Sequence, residues 1–206
     1  MILNLPDLIN KYNLDITGVI HVGAHVGGEY DVYKTINTIQ NIVFFEPDRD
    51  SFDKLQKKIN GDNNVTCINK ALGPFTCEAF LHREKDNNGQ SNSLLEPYVH
   101  TQQYPGIRFT EKEKVKVEPL DKYEPSSLLN FINMDVQGAE LNVLLGATNT
   151  LRNNIKYVMT EVNRAELYKN CAMIEDIDYF LGKFGFKRVE VDWMGETWGD
   201  AFYIKA

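Results

Sequence analysis

The sequence predicts an α/β fold: a three-layer sandwich in which helices cover both faces of a mostly parallel sheet. Three observations carry this. Short apolar runs of strand character alternate with helical apolar spacing over residues 16–68, and again over 131–184. The first run, Val19, Ile20 and Val22, passes into a small-residue turn holding Gly23, Ala24, Gly27 and Gly28, while the second, residues 42–45, stops at the acid Glu46. The last two apolar runs flank a short connection, residues 192–200, and pair as a terminal hairpin that sets one strand antiparallel.

Element by element, residues 5–12 read as a short leading helix, 19–22 as the first strand and 29–39 as a helix. Residues 42–45 form the second strand. Residues 50–60 form a charged amphipathic helix with Phe52, Leu55 and Ile59 on one face. A turn at 61–64 leads to a third strand, 65–69, and residues 75–82 look like an additional strand. The stretch 84–113, with DNNGQSNS, Pro97 and Tyr104-Pro105-Gly106, is irregular; a loop this long is usually functional or mobile. Residues 114–118 alternate as a strand. Residues 131–134 are a short buried strand ending at Asp135, followed by a helix over 139–147. Residues 157–161 are a strand ending in Glu161, 174–184 a helix closed by Gly185, and 186–191 with 201–204 the hairpin. No repeat or low-complexity linker interrupts this order, so one domain over 1–206 is expected.

The 206 residues, 43% apolar and 25% charged, are of ordinary globular composition, and a net charge of −7 argues against a broad electrostatic footprint on nucleic acid or anionic membrane. No apolar run approaches the roughly 20 residues a membrane helix needs. Residues 1–15 lack the basic, apolar and small-residue segments of a signal peptide. Cys67, Cys77 and Cys171 are odd in number and far apart, as expected of reduced thiols in a cytoplasmic protein, and they offer neither a disulfide framework nor a zinc site.

A buried strand, a small-residue turn, a helix and a second strand with a terminal carboxylate make a nucleoside-binding half-fold. Its small residues admit the ligand to the backbone, and its acid accepts hydrogen bonds from ribose hydroxyls. In an open sheet of this kind ligands bind beyond the carboxyl ends of the strands. Here those ends carry His21 to His25, Glu46-Pro47, Asn69 to Leu72, Asp135-Val136-Gln137 and Glu161-Val162-Asn163. The turn Gly23-Ala24-His25-Val26-Gly27-Gly28 is an incomplete dinucleotide fingerprint, Glu29 and Asp31 repel a diphosphate, and no Walker lysine pattern exists. S-adenosyl-L-methionine (SAM), which has a ribose and an adenine but no phosphate, fits these features better than NAD. An NAD-dependent oxidoreductase and a non-catalytic SAM-binding scaffold are the rival readings.

The blocks IHVGAH, FFEPDRDSFDKL, KALG, SNSLL, VKVEPLD and INMDVQGAELNVLLGA, with EVNR and LGKFGF further on, resemble those of the FkbM-type SAM-dependent methyltransferases over about residues 16–190. The most specific block is Asp135-Val136-Gln137-Gly138-Ala139-Glu140 with Leu144-Leu145-Gly146-Ala147. The resemblance implies a class I methyltransferase sheet of seven strands, the last antiparallel, and methyl transfer usually to a hydroxyl oxygen. It places Gly23, Ala24, His25 and Gly27 around the methionine part of SAM, Glu46 on the ribose, and Ala71 and Leu72 beside the adenine. Asp135 would face the substrate, and Pro47, Ser93 and Val136 complete the expected cofactor contacts. His21 stands where many relatives carry an acid that helps hold the methionine end.

Transfer to a hydroxyl needs alignment and a proton acceptor. Asp135, Glu161 and His25 are the catalytic candidates, with Glu140 behind them. The plain alternatives are a helix cap for Asp135, a surface carboxylate for Glu161, turn packing for His25 and a buried hydrogen-bonded role for His21. No metal is expected, since no short metal-ligand spacing occurs. The 84–113 segment is the candidate lid or substrate wall, its Ser91, Asn92, Ser93, Tyr98 and Tyr104 suited to a small-molecule, sugar or glycan acceptor. Trp193 and Trp198 offer a stacking face or simply pack the hairpin; His82 and His100 receive no role.

Overall fold

The computed structural model describes residues 2–206. Helix α1 (Leu5–Tyr12) begins where the Asn4 side chain accepts the Asp7 N–H at 3.1 Å, with Pro6 in the first turn, where its missing N–H costs nothing. Strand β1 (Gly18–Val22) is buried throughout, and α2 (Tyr30–Thr35) leads to β2 (Asn41–Phe45). Helix α3 (Arg49–Ile59) is capped by Asp48, whose side chain accepts the Ser51 N–H at 2.9 Å; β3 (Val65–Ile68) follows. Strands β4 (Ala71–Leu72) and β5 (Cys77–Glu84), helix α4 (Val99–Gln103), β6 (Phe109–Glu118) and a 3-10 turn (Leu120–Tyr123) form an inserted region. The chain then runs through β7 (Phe131–Met134), α5 (Glu140–Leu145), α6 (Thr148–Asn153), β8 (Tyr157–Asn163), α7 (Ile174–Gly182), β9 (Phe186–Met194) and β10 (Trp198–Lys205).

Seven strands share one sheet in the order β3-β2-β1-β7-β8-β10-β9, all neighbours parallel except β10, which runs antiparallel to both β8 and β9. This is the expected three-layer α/β sandwich. Alternation along the strands separates two cores. Ile20, Val22, Ile132 and Met134 pack with Val143, Leu144, Leu151, Ile177 and Leu181 of α5, α6 and α7. Val19, Phe44 and Phe131 pack on the other face with Leu5, Leu8, Tyr33, Phe52 and Leu55 of α1, α2 and α3. The order reverses between β1 and β7, which opens a crevice at their carboxyl ends. Among the described residues no helix is long and apolar enough to cross a membrane.

Several elements depart from expectation, each for a local reason. Helix α2 stops at Thr35 rather than Ile39, because Ile36 turns extended (φ −95°, ψ 99°) and both isoleucines reach the core from a turn. The helix expected over 139–147 breaks at Gly146, where a Cβ would lie 2.0 Å from the Gly73 carbonyl oxygen. A separate helix, α6, restarts there under a remote cap: the Asp121 carboxylate accepts the Asn149 and Thr150 N–H groups at 2.8 and 2.9 Å. Strand β6 begins at Phe109, well before 114, and pairs with β5 over charged positions such as Lys114 and Glu78 (2.6 Å). With β4 these strands make a small second sheet in the order β4-β6-β5. The hairpin strands are longer than predicted because Trp193, Met194 and Trp198 join the ladder.

Candidate active site

A cavity of about 690 Å³ opens at the β1/β7 reversal, a size typical of small-ligand sites. Gly23 has φ +79°, and a Cβ there would lie 1.9 Å from the Asp135 carbonyl oxygen, so only glycine lets the β1 and β7 ends come this close. The Gly23 and Ala24 N–H groups donate to the Phe45 carbonyl at 2.9 and 3.1 Å, and the Asp135 N–H to Val22 at 3.0 Å. Three strand ends are thereby tied together at the cavity floor.

Glu46 is 6% exposed and lines the cavity. Its Oε2 accepts the His25 N–H and its Oε1 the Asp48 N–H, both at 2.7 Å. Each oxygen keeps a lone pair for a further donor. Burial pushes this carboxyl up to about 8, against the pull of those two N–H groups. His25 adopts φ +48°, and its Nε2 lies 2.9 Å from the Asn88 carbonyl, so that nitrogen carries the ring proton and clasps the inserted region to the turn.

Across the cavity, Gln137 joins two acids. Its Nε2 donates to Asp135 Oδ1 at 2.7 Å and to Glu161 Oε2 at 2.8 Å, while its Oε1 accepts the Tyr168 hydroxyl at 2.8 Å. Its carbonyl accepts from Ser93 Oγ at 2.7 Å, and the residue holds φ +54°. Burial, then the charges of Asp135, Glu140 and Asp200, hold Glu161 well above the usual carboxylate range, with a hydrogen bond to Asp135 adding to the effect. Burial and the neighbouring acids thus favour the protonated form of Glu161. Behind it, Glu140 Oε1 accepts the Val136 and Gly138 N–H groups at 3.0 and 3.2 Å and fixes the loop; burial lifts Glu140 to about 7.

His21 is 1% exposed on the α1–α3 face of β1, opposite Asn133 of β7. Asn133 Nδ2 donates to the Tyr33 hydroxyl at 2.6 Å, and that hydroxyl donates to His21 Nδ1 at 3.0 Å. The ring proton therefore sits on Nε2, and burial keeps the imidazole neutral by lowering its pKa. At this position the chain presents a neutral N–H donor.

Of the residues singled out from sequence, His21, Gly23, Ala24, His25, Glu46, Pro47, Ala71, Leu72, Asp135, Val136 and Glu161 line one cavity. Gly27 and Ser93 do not. Gly27 faces α3, where a Cβ would lie 2.7 Å from Leu55 Cδ1, and its carbonyl accepts Lys58 Nζ at 2.7 Å. Ser93 is buried behind Gln137. Sequence reasoning passed over Gln137 as a side chain, Tyr168 and His100. Gln137 lay inside the most specific block, a signal that was available; Tyr168 and His100 reach the site only through tertiary contacts.

Residues 21–188 match the family model described as the methyltransferase FkbM domain. The 2-O-methyltransferase NoeI of Sinorhizobium fredii is 23% identical over 159 residues, an alignment covering 73% of this chain and 65% of that protein, so this chain spans less than two thirds of its relative's length. A Listeria monocytogenes protein assigned as a SAM-dependent methyltransferase superposes with a TM-score of 0.56 at 9% identity, covering 97% of each chain. TrmK of M. capricolum, solved with S-adenosylhomocysteine, gives 0.55 at 6% identity over 100% of this chain and 69% of its own. The magnesium protoporphyrin IX methyltransferase of Synechocystis PCC 6803, solved with SAM, gives 0.51 at 11% identity over 98% and 76%. These likenesses show the class I methyltransferase fold.

Proposed function

This chain belongs to the FkbM methyltransferase family, and from that premise we propose that it transfers a methyl group from SAM to a hydroxyl oxygen of a sugar, glycan or other small hydroxylated acceptor. The observation that carries the reading is one cavity shared by Glu46 just past β2 and the amide-bridged pair of Asp135, just past β7, and Glu161, within β8, which runs on to Asn163 rather than ending at residue 161. The oxygen chemistry is supported by the relative named as a 2-O-methyltransferase.

The donor set fits the cofactor. Once ionised, Glu46 has a lone pair on each oxygen for the two ribose hydroxyls, and Pro47, Ala71 and Leu72 offer an apolar slot for a base. Glu29, Glu46, Asp135 and Glu161 line the cavity against Lys70, the one lysine or arginine among the described residues that line it; a ligand carrying an ammonium and a sulfonium favours the ionised forms of Glu46 and Glu161 that burial alone opposes. His21 Nε2–H and the turn from Gly23 to His25 would hold the amino-acid end. Bound there, the cofactor supplies a methyl group on a positively charged sulfur.

The chain's own work is alignment and proton handling. Asp135 accepts the proton the acceptor hydroxyl loses, a contribution of about 10²–10⁴-fold. Glu161, whose protonated form burial favours, steadies the charge on Asp135, and Gln137 keeps both acids in register. Residues 84–113 form the substrate-side wall of a single domain spanning 1–206, His25 fastening it to the cofactor turn. Labelled-methyl transfer from SAM to a panel of hydroxylated acceptors tests the reading: Asp135→Asn should lose about 100-fold or more in rate while S-adenosylhomocysteine still binds within a few-fold. Unchanged transfer in that variant removes Asp135 from its role.

A further inference from the structure

The wall of the cavity beyond Asp135 contains a histidine whose ring the protein leaves without a hydrogen bond. His100 on α4 is 4% exposed, its ring boxed by Tyr104, Phe109 and Tyr168 at centroid distances of 5.1, 5.3 and 5.4 Å. Nδ1 is enclosed with no partner, whereas Nε2 is not enclosed, and the residue lines the cavity. Burial disfavours the imidazolium and lowers its pKa. Placing the ring proton on Nε2 leaves only a lone pair shut in, so His100 is a neutral N–H donor turned to the cavity.

Its neighbours tie this donor to the reacting end. The His100 ring packs on Tyr168, whose hydroxyl donates to Gln137, the residue that bridges Asp135 and Glu161. Tyr104 Oη accepts Trp198 Nε1 at 2.9 Å and Gln103 Nε2 at 3.1 Å, which leaves its own proton for a ligand. Leu167, Met194 and Trp198 add apolar surface. Lys70 sits next to Ala71, on the cofactor side. Neutral donors, flat apolar surface and acids, with no cation among the described residues of this wall, describe a particular guest.

We infer that this wall is the acceptor subsite and that it selects an uncharged hydroxylated ring, a neutral sugar residue, through His100 Nε2–H and Tyr104 O–H, while rejecting sugars that carry a phosphate. A phosphate would meet the Asp135 carboxylate with no lysine or arginine among the described residues of this wall to offset it, and an unpaired anion in such a site is repelled. The inference rests on the methyltransferase reading and deepens it.

The test uses wild-type protein, loaded with S-adenosylhomocysteine for the binding measurement and supplied with methyl-labelled SAM for the turnover measurement. Methyl glycosides of neutral hexoses and deoxyhexoses, and the corresponding sugar 1-phosphates, are compared by saturation-transfer NMR for binding and by labelled-methyl transfer for turnover. Neutral sugars should bind and accept methyl at least about tenfold better than their phosphates. His100→Phe, which keeps the ring, should raise KM about tenfold with S-adenosylhomocysteine affinity unchanged, and His100→Gln should recover most of the loss. Phosphorylated sugars binding as well as neutral ones, no neutral sugar binding, or an unaltered KM in His100→Phe each overturns the inference. Failure of the wild-type protein to bind S-adenosylhomocysteine in calorimetry instead overturns the methyltransferase reading beneath it. The comparison of neutral and phosphorylated sugars needs no variant, so it decides the matter even if His100→Phe does not fold.

Discussion

Glu46 and Gln137 do their work through hydrogen bonds that fix charge. Burial sets Glu46 to about 8, so below that pH it is protonated and one oxygen is spent on its own proton. Above it, the carboxylate can accept from both hydroxyls of the ribose proposed to bind there. S-adenosylhomocysteine affinity should therefore rise as pH goes from 7 to 9 in calorimetric titrations, and Glu46→Gln should weaken binding by about tenfold or more and flatten that rise. A variant with the same pH slope would show that another group titrates. The two Gln137 N–H bonds favour the ionised form of the acid pair. Gln137→Leu should lower kcat and move the acid limb of the pH–rate profile to higher pH, with cofactor affinity kept; a limb that stays in place would leave Gln137 a packing residue. Glu46 and Asp135 were legible in sequence because each follows a short apolar strand, and Glu161 because it is an acid in the carboxyl half of one. Gln137's part was not, because its meaning depends on Tyr168 and Glu161, which only the folded sheet brings near.

At the scale of elements, the β1 turn and the β7 end are a single construction. Gly23→Ala places a methyl 1.9 Å from the Asp135 carbonyl oxygen at φ +79°, so the strands must part or the turn must rebuild. The variant should lose about 2 kcal/mol or more in urea unfolding, seen as a lower midpoint at unchanged slope. A midpoint within error of wild type would mean that the turn relaxes freely. The main strands and α1, α3 and α7 were readable because apolar periodicity reports burial against one core. The β5–β6 sheet was half hidden, since its exposed face carries cross-strand charge pairs such as Lys114–Glu78 in place of an apolar alternation. Helix α6 was invisible, because its cap is Asp121, distant in sequence, and its break from α5 answers to the Gly73 backbone.

For the molecule as a whole, the strand order puts acids from β2, β7 and β8 around one enclosed space, and stability bears the cost. Glu46 and Glu140 hold their protons in the fold to about 8 and about 7, against 4.5 as the ordinary value. Both shifts are upward, so folding takes up protons between these limits. The contribution of these two groups is full below about 4.5 and declines as pH rises toward 8, by up to about 1.4 kcal/mol per pH unit for each group in its window. Thermal melts from pH 5 to 8 should show Tm falling. Glu140→Gln, which keeps an oxygen for the Val136 and Gly138 N–H groups, should lessen the slope; a Tm flat across this range in the wild type would remove these acids from the balance. The overall topology was legible from the order of strands and helices, whereas the joining of their acids in one cavity was not, since that follows from the reversal between β1 and β7. The central claim, a cavity built for a sulfonium nucleoside around Glu46, meets its most direct test in calorimetric titration of S-adenosylhomocysteine into wild-type protein and Glu46→Ala. The account predicts saturable one-site binding that weakens at least about tenfold in the variant; no binding to the wild type, or equal binding to both, would contradict it.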